Sequence, residues 1–311
     1  MSTRSARVRV PASTSNLGGG FDCIGMAVDR WLEASVTPTD GATRIARAGA
    51  LATLKCETRR DLLYQGFVAA CNRAGVVVPD GLSFDVTSKI PVARGLGSSA
   101  AALVAGAALA EQLLSLGLGR EGVALLIAQF EGHPDNAAPA TFGGATLGVA
   151  RDDAEEGKPC TYAFAALPVH DDLRFVYAVP SLEITTASAR AVLPHRVSFA
   201  DAVGAVQRSA ALVQGLATAD GELLARALDD VLHVPYRRSL LPGYDSVERA
   251  AREAGAYGAT LSGSGSTMVA VGRVGSEARI ADAMRTAFAG HGEQAEIIVS
   301  AGAVGGLEWI S

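Results

Sequence analysis

The chain has only four cysteines and no excess of basic residues. Both features exclude classes of function. Its four cysteines are Cys23, Cys56, Cys71 and Cys160. They show no paired spacing, so neither a zinc site nor a disulfide framework is indicated, and reduced thiols in the cytoplasm are expected. The formal net charge of −5 provides no general basic face, so nucleic acid is not an expected partner.

Membrane segments and three common catalytic motifs are also missing. The first ten residues lack the apolar core of a secretion signal, and the Ala-rich residues 98–114 are too few to span a bilayer, so no membrane partner is expected. No Gly-Lys-Ser/Thr closes a P-loop, and no Gly-x-Gly-x-x-Gly follows the first predicted strand. Neither residues 95–97 nor residues 262–265 spell the Gly-x-Ser-x-Gly of a serine hydrolase.

What is present predicts a folded α+β protein. With 311 residues, of which 49% are hydrophobic and 19% charged, the chain is long enough for two domains. Strands are predicted at residues 7–10 (ended by Pro11), 27–37, 82–89, 143–149, 173–179, 256–261, 267–272 and 294–300. Helices are predicted at residues 62–74, 98–117, 121–130, 186–192, 199–216, 222–232, 244–254 and 276–289. Both halves mix the two types, which predicts layered domains, placed at residues 1–165 and 166–311.

The charged residues 151–159 lie near that division. They are typical of a solvated loop at a domain boundary, and a hairpin tip inside one domain fits them equally well.

The most informative segment joins the strand at residues 82–89 to the Ala-rich helix. The N-terminus of a helix has unpaired N–H groups and a fractional positive charge, which favour a bound phosphate. Gly95 and Gly97 let the backbone curve around an anion, and Ser98 and Ser99 add hydroxyls for phosphate or a metal ion. An ordinary turn with a serine N-cap is the alternative.

Residues 91–100 resemble the phosphate loop of the GHMP kinases, Pro-x-x-x-Gly-Leu-Gly-Ser-Ser-Ala, without a gap. The resemblance implies that ATP is bound by Lys89, Pro91, Arg94, Gly95, Leu96, Gly97, Ser98, Ser99, Ala100 and Ala101. For Lys89, a charge at the end of a strand is an equal alternative. On the adenine side, Asp61 stands where the family more often has Asn.

A glycine-rich loop near the N-terminus carries the next two candidates. Asn16 and Asp22 flank Gly18-Gly19-Gly20, and turn chemistry alone accounts for such residues. The segment from Asn16 to Asp22 is, however, similar to the Asn-x-Gly-x-Gly-Phe-Asp of homoserine kinases. That resemblance implies that Asn16 and Asp22 face an amino-acid substrate.

Residues 131–139 supply a further group of polar side chains. Glu131 with Ser98 fits the oxygen ligands that Mg²⁺ prefers, although a solvated helix end also explains Glu131. His133 to Pro139 resembles the homoserine kinase signature His-x-Asp-Asn-x-Ala-Pro, which implies that His133, Asp135 and Asn136 bind the substrate. Asn136 falls where other GHMP kinases have an Asp near the attacking hydroxyl. The predicted catalytic residues are therefore Asn136, Ser98 and Glu131, and whether a general base operates stays open.

Two arginine segments and a second Gly-Ser loop complete the pattern. Arg190 follows Thr186, and Arg237 follows Pro235-Tyr236; each is a surface arginine in the simplest interpretation. Together they resemble family segments that bind the substrate α-carboxylate, because guanidinium forks pair with planar carboxylates. Arg237 is preferred to its neighbour Arg238. Residues 258–267, which contain Gly263, are similar to the third GHMP motif, although a hairpin turn is the plain alternative.

The resemblance covers essentially the whole chain and implies a fold and a reaction. The fold is an N-terminal α+β domain with a left-handed β-α-β unit, joined to a ferredoxin-like C-terminal domain. The reaction transfers the γ-phosphoryl group of ATP, with Mg²⁺, to the small-molecule substrate L-homoserine, a step toward threonine. A mevalonate, sugar or threonine kinase, or a noncatalytic ATP-binding sensor, are the alternatives. The oligomeric state considered for the protein is a homodimer.

Overall fold

The computed structural model describes residues 5–151 and 160–310. Its strands are β1 (Ala6–Ser15), β2 (Ile24–Pro38), β3 (Arg44–Gly49), β4 (Leu82–Ser88), β5 (Ala145–Ala150), β6 (Tyr162–Leu167), β7 (Leu173–Pro180), β8 (Ala256–Leu261), β9 (Met268–Arg273), β10 (Ala295–Ser300) and β11 (Glu308–Ile310). Its α-helices are α1 (Leu62–Ala74), α2 (Ser98–Leu114), α3 (Gly119–Glu131), α4 (Ala137–Phe142), α5 (Thr186–Ala191), α6 (Phe199–Thr218), α7 (Gly221–Ala227), α8 (Val234–Arg237), α9 (Tyr244–Glu253) and α10 (Glu277–Ala289).

A seven-stranded sheet is built around the long strand β2. Its main order is β11-β1-β2-β4-β3, and β5 pairs with β2 and with β6. β3 and β4 pair in parallel and are connected through α1, which makes the predicted β-α-β unit; its handedness stays a prediction. Alternate residues of β4 are buried, and Phe84 meets Phe67 of α1 edge to face at 5.5 Å. The period-two pattern of β4 thus fixes which face α1 covers.

Helix α2 is buried on most of its sides, because alanine side chains let neighbouring elements approach closely. At Gly106 a β-carbon would overlap the carbonyl oxygen of Leu63 in α1. The Ala-rich composition therefore packs α2 beneath the sheet and fixes the position of its N-terminus at Ser98.

The second sheet is four-stranded and antiparallel, in the order β10-β7-β9-β8. In chain order these are the fourth, first, third and second strands, with helices in the first and last connections. This is the ferredoxin-like arrangement that the family resemblance implied. Its core contains Met268, Met284 and Phe288, all fully buried.

The strand β11 returns the chain to the first sheet. It pairs antiparallel with β1, and Glu308 accepts two hydrogen bonds from Arg9 at 2.8 and 2.9 Å. Trp309 also donates to the Ala108 carbonyl of α2 at 3.2 Å. The division into residues 1–165 and 166–311 stays a prediction, and residues 308–310 pair across it.

Two predicted element ends differ from the structure by more than three residues. Pro11 does not end β1, because β11 pairs only as far as Arg9 and the register with β2 shifts after Pro11, so no ladder N–H is needed there. The helix predicted at residues 222–232 ends at Ala227, and one carboxylate oxygen of Asp230 then accepts from the amides of residues 232–234, at the start of the next turn.

The charged segment expected as a loop falls mostly on residues 152–159, which lie outside the described residues. The strands on either side of it, β5 and β6, pair antiparallel up to Ala150 and Tyr162, which is the geometry of a hairpin. Within the described ranges, no helix combines the length and apolar character needed to cross a membrane.

Candidate active site

A cavity of about 610 Å³ opens where the N-terminus of α2 meets the N-terminal loop and segments of the second half. The following predicted site residues line it: Asn16, Asp22, Arg94, Gly95, Leu96, Gly97, Ser98, Ser99, Glu131, His133, Asn136, Thr186, Arg190, Arg237 and Gly263. Every motif identified in the sequence therefore contributes to one wall or another of the same cavity.

The remaining predicted residues lie off the cavity wall. Lys89 is exposed just beyond β4, as expected of a charge at the end of a strand. Ala100 and Ala101 are buried inside α2, and Pro91 precedes the lining part of the loop. Asp135 is buried behind His133. These five side chains do not face the cavity, whatever their backbone groups contribute.

The phosphate-type loop is held by the third glycine motif. Ser262 Oγ lies 2.6 Å from the Gly95 carbonyl oxygen, and Thr267 N donates to the Arg94 carbonyl at 3.1 Å. Gly97 precedes α2 with a φ of 63°, and the first intrahelical bond runs from Ala101 N to Gly97 O at 2.9 Å. The amides at residues 98–100 therefore have no helical acceptor and are available to an anion.

Glu131, at the end of α3, faces that helix terminus. Ser99 Oγ donates to its Oε1 at 2.9 Å. That Ser98 and Glu131 bind the same metal ion stays a prediction. Its Oε2 is shielded from solvent and has no hydrogen-bond partner among the described residues. Burial raises the pKa of Glu131 to about 7, against the opposing effects of His133 and Ser99.

An unpartnered carboxylate oxygen, on a carboxylate that also accepts from the Ser99 hydroxyl, fits a hard divalent cation. In the described part of the chain, no three His, Cys, Asp or Glu side chains cluster as metal ligands. The donor set is thus one carboxylate with hydroxyls, which suits Mg²⁺ held jointly with phosphate oxygens.

His133 and Asp135 form a dyad beside Glu131. The His133 Nδ1 lies 2.6 Å from Asp135 Oδ1. Burial lowers the pKa of His133, but the hydrogen bond and charge of Asp135, with the charge of Glu131, outweigh it and the net pKa is raised. Asn136 next to them accepts from Ser13 Oγ and donates to Ser15 Oγ, both at 3.0 Å. Both ends of its amide are therefore held by β1.

Asn16 organises the opposite end of the cavity. It has a φ of 57°, accepts from Asp22 N at 2.9 Å and donates to the Gly263 carbonyl at 3.1 Å. The Asp22 carboxylate accepts two hydrogen bonds from Arg190, at 2.9 and 3.1 Å. The residues predicted to meet opposite charges of a substrate thus pair with each other.

Arg237 is only 2% exposed, whereas Arg238 is at the surface beside Asp245. The Arg237 guanidinium donates to the Ala189 carbonyl at 3.1 Å and to the Gly263 carbonyl at 3.2 Å. Burial and the nearby positive charge of Arg190 lower its pKa from the ordinary value. A buried, cavity-lining cation with few anionic partners is suited to an anionic ligand.

Two residues behind this wall, Phe21 and His233, were not among the predicted site residues. Phe21 stacks on the His233 ring at 5.0 Å, and the Arg237 guanidinium lies 5.3 Å above the Phe21 ring. A signal for His233 exists: it stands four residues before Arg237, a spacing that places two side chains on one helix face.

A further part of the cavity wall, which includes Asp61, has many apolar side chains. The Asp61 carboxylate caps α1 through Leu63 N at 2.9 Å and pairs with Arg47 at 2.5 and 2.9 Å. The apolar side chains that line the cavity include Leu32, Leu51, Leu54, Leu62, Val86 and Phe130. Because Asp61 is already paired, it shapes this part of the cavity wall mainly through α1.

Comparison with known proteins identifies two matching family models. The model "GHMP kinases N terminal domain" matches residues 61–144, and "GHMP kinases C terminal" matches residues 212–290. The homoserine kinase of Trichormus variabilis is 41% identical over 285 residues, which cover 91% of this chain and 92% of that protein. The homoserine kinase of Carboxydothermus hydrogenoformans is 37% identical over 292 residues, with coverages of 94% and 92%.

Solved structures give the same grouping. The homoserine kinase from Cytophaga hutchinsonii superposes with a TM-score of 0.86 at 29% identity and covers 100% of this chain and 98% of its own. The L. major mevalonate kinase superposes with a TM-score of 0.63 at 18% identity over 98% and 97% of the two chains. That second likeness concerns the fold alone.

Proposed function

The chain belongs to the homoserine kinase family of the GHMP kinases, and on this premise we propose that it transfers the γ-phosphoryl group of ATP to the side-chain hydroxyl of L-homoserine. One observation carries the proposal. A single cavity has an amide-rich helix terminus and a shielded carboxylate on one side, and a carboxylate with two guanidinium groups on the other. The first side suits a triphosphate, and the second suits the zwitterion of an α-amino acid.

The zwitterion is bound between Asp22 and the two arginines. Asp22 accepts from the substrate ammonium, while Arg190 and Arg237 donate to its carboxylate. Each charge-assisted hydrogen bond contributes about 1.5–3 kcal/mol. The substrate replaces the existing pair of Asp22 with Arg190 by two pairs, one for each of its own charges. Thr186 and Gly263 line the same end of the cavity and complete its shape.

The triphosphate lies against the amides at residues 98–100. Glu131, with the hydroxyls of Ser98 and Ser99, would hold Mg²⁺ there, which supplies neutralisation of phosphate charge when bound. The adenine base lies toward the apolar end near Asp61. Arg94 stays paired with Glu183 at 3.1 Å and braces the loop from the second half of the chain.

The reacting hydroxyl lies between these two ends, near His133 and Asn136. Phosphoryl transfer passes through a loose transition state, in which positioning and charge neutralisation matter more than early deprotonation. His133, whose pKa Asp135 raises through their 2.6 Å contact, lies where its protonated form would stabilise negative charge on the transferred group. Asn136, held between Ser13 and Ser15, keeps this wall in place relative to α2.

A coupled ADP-release assay tests the proposal. With ATP and Mg²⁺, L-homoserine should give turnover, while L-threonine, mevalonate and galactose should give little. Turnover with one of those alcohols and none with homoserine would overturn the substrate assignment. ATP binding without turnover on any of the four would favour the noncatalytic sensor.

Two further assignments are part of the proposal. We place the protein in the cytoplasm, since the four cysteines are all unpaired in the structure. We also propose a homodimer, which is supported by an apolar stripe on α6. Phe199, Val203 and Val206 are exposed there at helical spacing. Sedimentation equilibrium measures the oligomeric state, and a monomer at micromolar concentration would contradict the dimer.

A further inference from the structure

His233 is completely buried directly behind the cavity wall, just before α8, and no motif of the reaction includes it. Its ring lies between two parts of the chain that line the substrate end of the cavity. One part is the N-terminal loop that contains Asn16, and the other is the helical turn that carries Arg237.

The two ring nitrogens have different partners. Nε2 lies 3.2 Å from the carbonyl oxygen of Asn16, and Nδ1 lies 3.4 Å from Nη1 of Arg237. A carbonyl only accepts and a guanidinium only donates, so the ring donates through Nε2 and accepts at Nδ1. This pattern requires the neutral imidazole in a single tautomer.

The surroundings of the ring keep it neutral. Burial lowers the pKa of His233 to about 4, and the charge of Arg237 acts in the same direction, against Asp230 and Asp22. The Asp230 carboxylate lies 3.8 Å from Nε2, but its Oδ2 already accepts from three backbone amides. The hydrogen bonds of the ring are therefore those to Asn16 and Arg237.

The hydrogen bonds of His233 complete a closed hydrogen-bond network at the end of the cavity that would bind the amino acid. Asn16 Nδ2 and Arg237 Nη1 both donate to the Gly263 carbonyl, at 3.1 and 3.2 Å. His233 joins the same two residues from behind, and Phe21 stacks against its ring. Asn16 in turn holds the backbone of Asp22.

We propose that His233 is a positioning residue for the amino-acid substrate, which sets Arg237 and the Asn16–Asp22 loop at a fixed separation. The groups that meet the carboxylate and the ammonium then match the spacing of an α-amino acid before the substrate binds. This inference rests on the proposed function. It adds that recognition of both substrate charges depends on one uncharged, buried imidazole.

The main test compares His233→Leu with the unchanged protein. The leucine removes both ring hydrogen bonds at similar volume. We expect KM for L-homoserine to rise about ten- to a hundredfold, since a small misplacement of a binding group has effects of this size. The KM for ATP and kcat should change less than about threefold. The inhibition constant of 3-amino-1-propanol should rise less than the KM for L-homoserine, because this ligand depends on the Asn16–Asp22 loop but not on Arg237. That amino alcohol keeps the ammonium and hydroxyl of homoserine but lacks the carboxylate.

Two conservative variants separate the two hydrogen bonds and remain informative if leucine prevents folding. His233→Asn keeps an acceptor near Arg237, and His233→Gln keeps a donor toward Asn16. Each should restore part of the homoserine affinity lost in His233→Leu. The exposed His195, changed to leucine, serves as the control and should leave all constants unchanged.

Two results would overturn the inference. One is an unchanged KM for homoserine in a folded His233→Leu variant. The other is an equal rise in the constants for homoserine, ATP and the amino alcohol, which would indicate a merely structural role. Absence of homoserine turnover in the unchanged protein would instead contradict the proposed function, so the two failures are distinguishable.

Discussion

Asp22 and Arg190, which are 168 residues apart, form a bidentate ion pair in the wall of the cavity. The Asp22 side chain is 34% exposed and that of Arg190 41%, so solvent screens the pair. Exposed pairs of this kind typically contribute only about 0–1 kcal/mol. A zwitterion that enters between them therefore loses little by separating them and gains a partner for each of its charges.

The substitution Asp22→Asn should specifically weaken homoserine binding. The asparagine is similar in size but cannot pair with an ammonium as a carboxylate does, so we expect kcat/KM for homoserine to fall about ten- to a hundredfold. The KM for ATP should stay nearly constant. Steady-state kinetics measure both, with the exposed Asp245→Asn as the matched control. An equal effect on the two substrates would contradict the assignment of Asp22.

Neighbouring arginines provide a second comparison. Arg237→Lys keeps the charge but loses the planar fork, so homoserine affinity should fall about tenfold or more while ATP affinity is retained. Arg238→Lys, one residue further on and exposed, should behave like the unchanged protein. Thermal denaturation first establishes that both variants fold. Comparable kinetics for the two variants would show that Arg237 does not bind the substrate.

The glycine before α2 gives a prediction for the phosphate loop. A β-carbon at Gly97, where φ is 63°, would overlap Ser13 Oγ, whereas Gly117, at a φ of 77°, faces open space. Gly117→Ala should therefore cost about 1–2 kcal/mol of stability from backbone strain alone. Gly97→Ala should cost more and should also raise KM for ATP. Chemical denaturation and kinetics check the two; equal behaviour of both variants would remove the special role of Gly97.

We expect the substitution Glu131→Gln to stabilise the protein and to lower its activity. The folded-state pKa of about 7 lies above the ordinary 4.5, so the carboxylate destabilises the fold increasingly from pH 4.5 to 7, and fully above pH 7. At pH 8 with a metal chelator, the variant should be more stable by on the order of 2 kcal/mol, and the gain should shrink at pH 5. Denaturant titrations at the two pH values measure this difference.

The same variant should lose catalysis. Removal of a carboxylate that holds Mg²⁺ should lower kcat about a hundredfold and raise the Mg²⁺ concentration needed for half-maximal activity. Glu121→Gln, in the first turn of the same helix, is the control. An unaltered Mg²⁺ dependence in Glu131→Gln would place the metal elsewhere.

Acid should destabilise the protein through His233. Its pKa is about 4 in the folded protein and near 6.5 when unfolded, so below pH 6.5 the unfolded state gains a proton that the folded state does not. Stability should thus be unaffected by this group above pH 6.5 and should fall by about 1.4 kcal/mol at pH 5.5. His233→Leu lacks the effect. Parallel pH dependences of unfolding for the two proteins would contradict it.

Elements with local start and stop signals were predictable from the sequence. Helix α1 begins after Asp61, whose side chain caps it, and ends before Gly75, which has a φ of 68°. Both signals are encoded in adjacent residues, and the prediction of residues 62–74 is confirmed. The edge strand β3 and the short strand β11 carry no such signals, because their partners lie far along the chain.

In the candidate site, too, some features were predictable from the sequence and others were not. Its loops carry their glycines and polar residues in contiguous motifs, so fifteen of the residues that line the cavity could be identified from the sequence, whereas apolar ones such as Leu51 and Leu54 could not. The pairing of Asp22 with Arg190, and the contact of His233 with Asn16 across 217 residues, depend on tertiary structure. No local pattern encodes a distance between such residues, and the same holds for the contact of Ser99 with Glu131, which are 32 residues apart.

Because the C-terminal strand β11 pairs with β1, the two halves of the chain are not independent when they are expressed separately. A fragment that stops at residue 165 lacks the strand that covers the outer side of residues 7–9. The N–H and C=O groups on that side would then be free to pair with another chain, a common route to aggregation. Supplying residues 166–310 as a separate polypeptide should restore solubility by completing the sheet in trans.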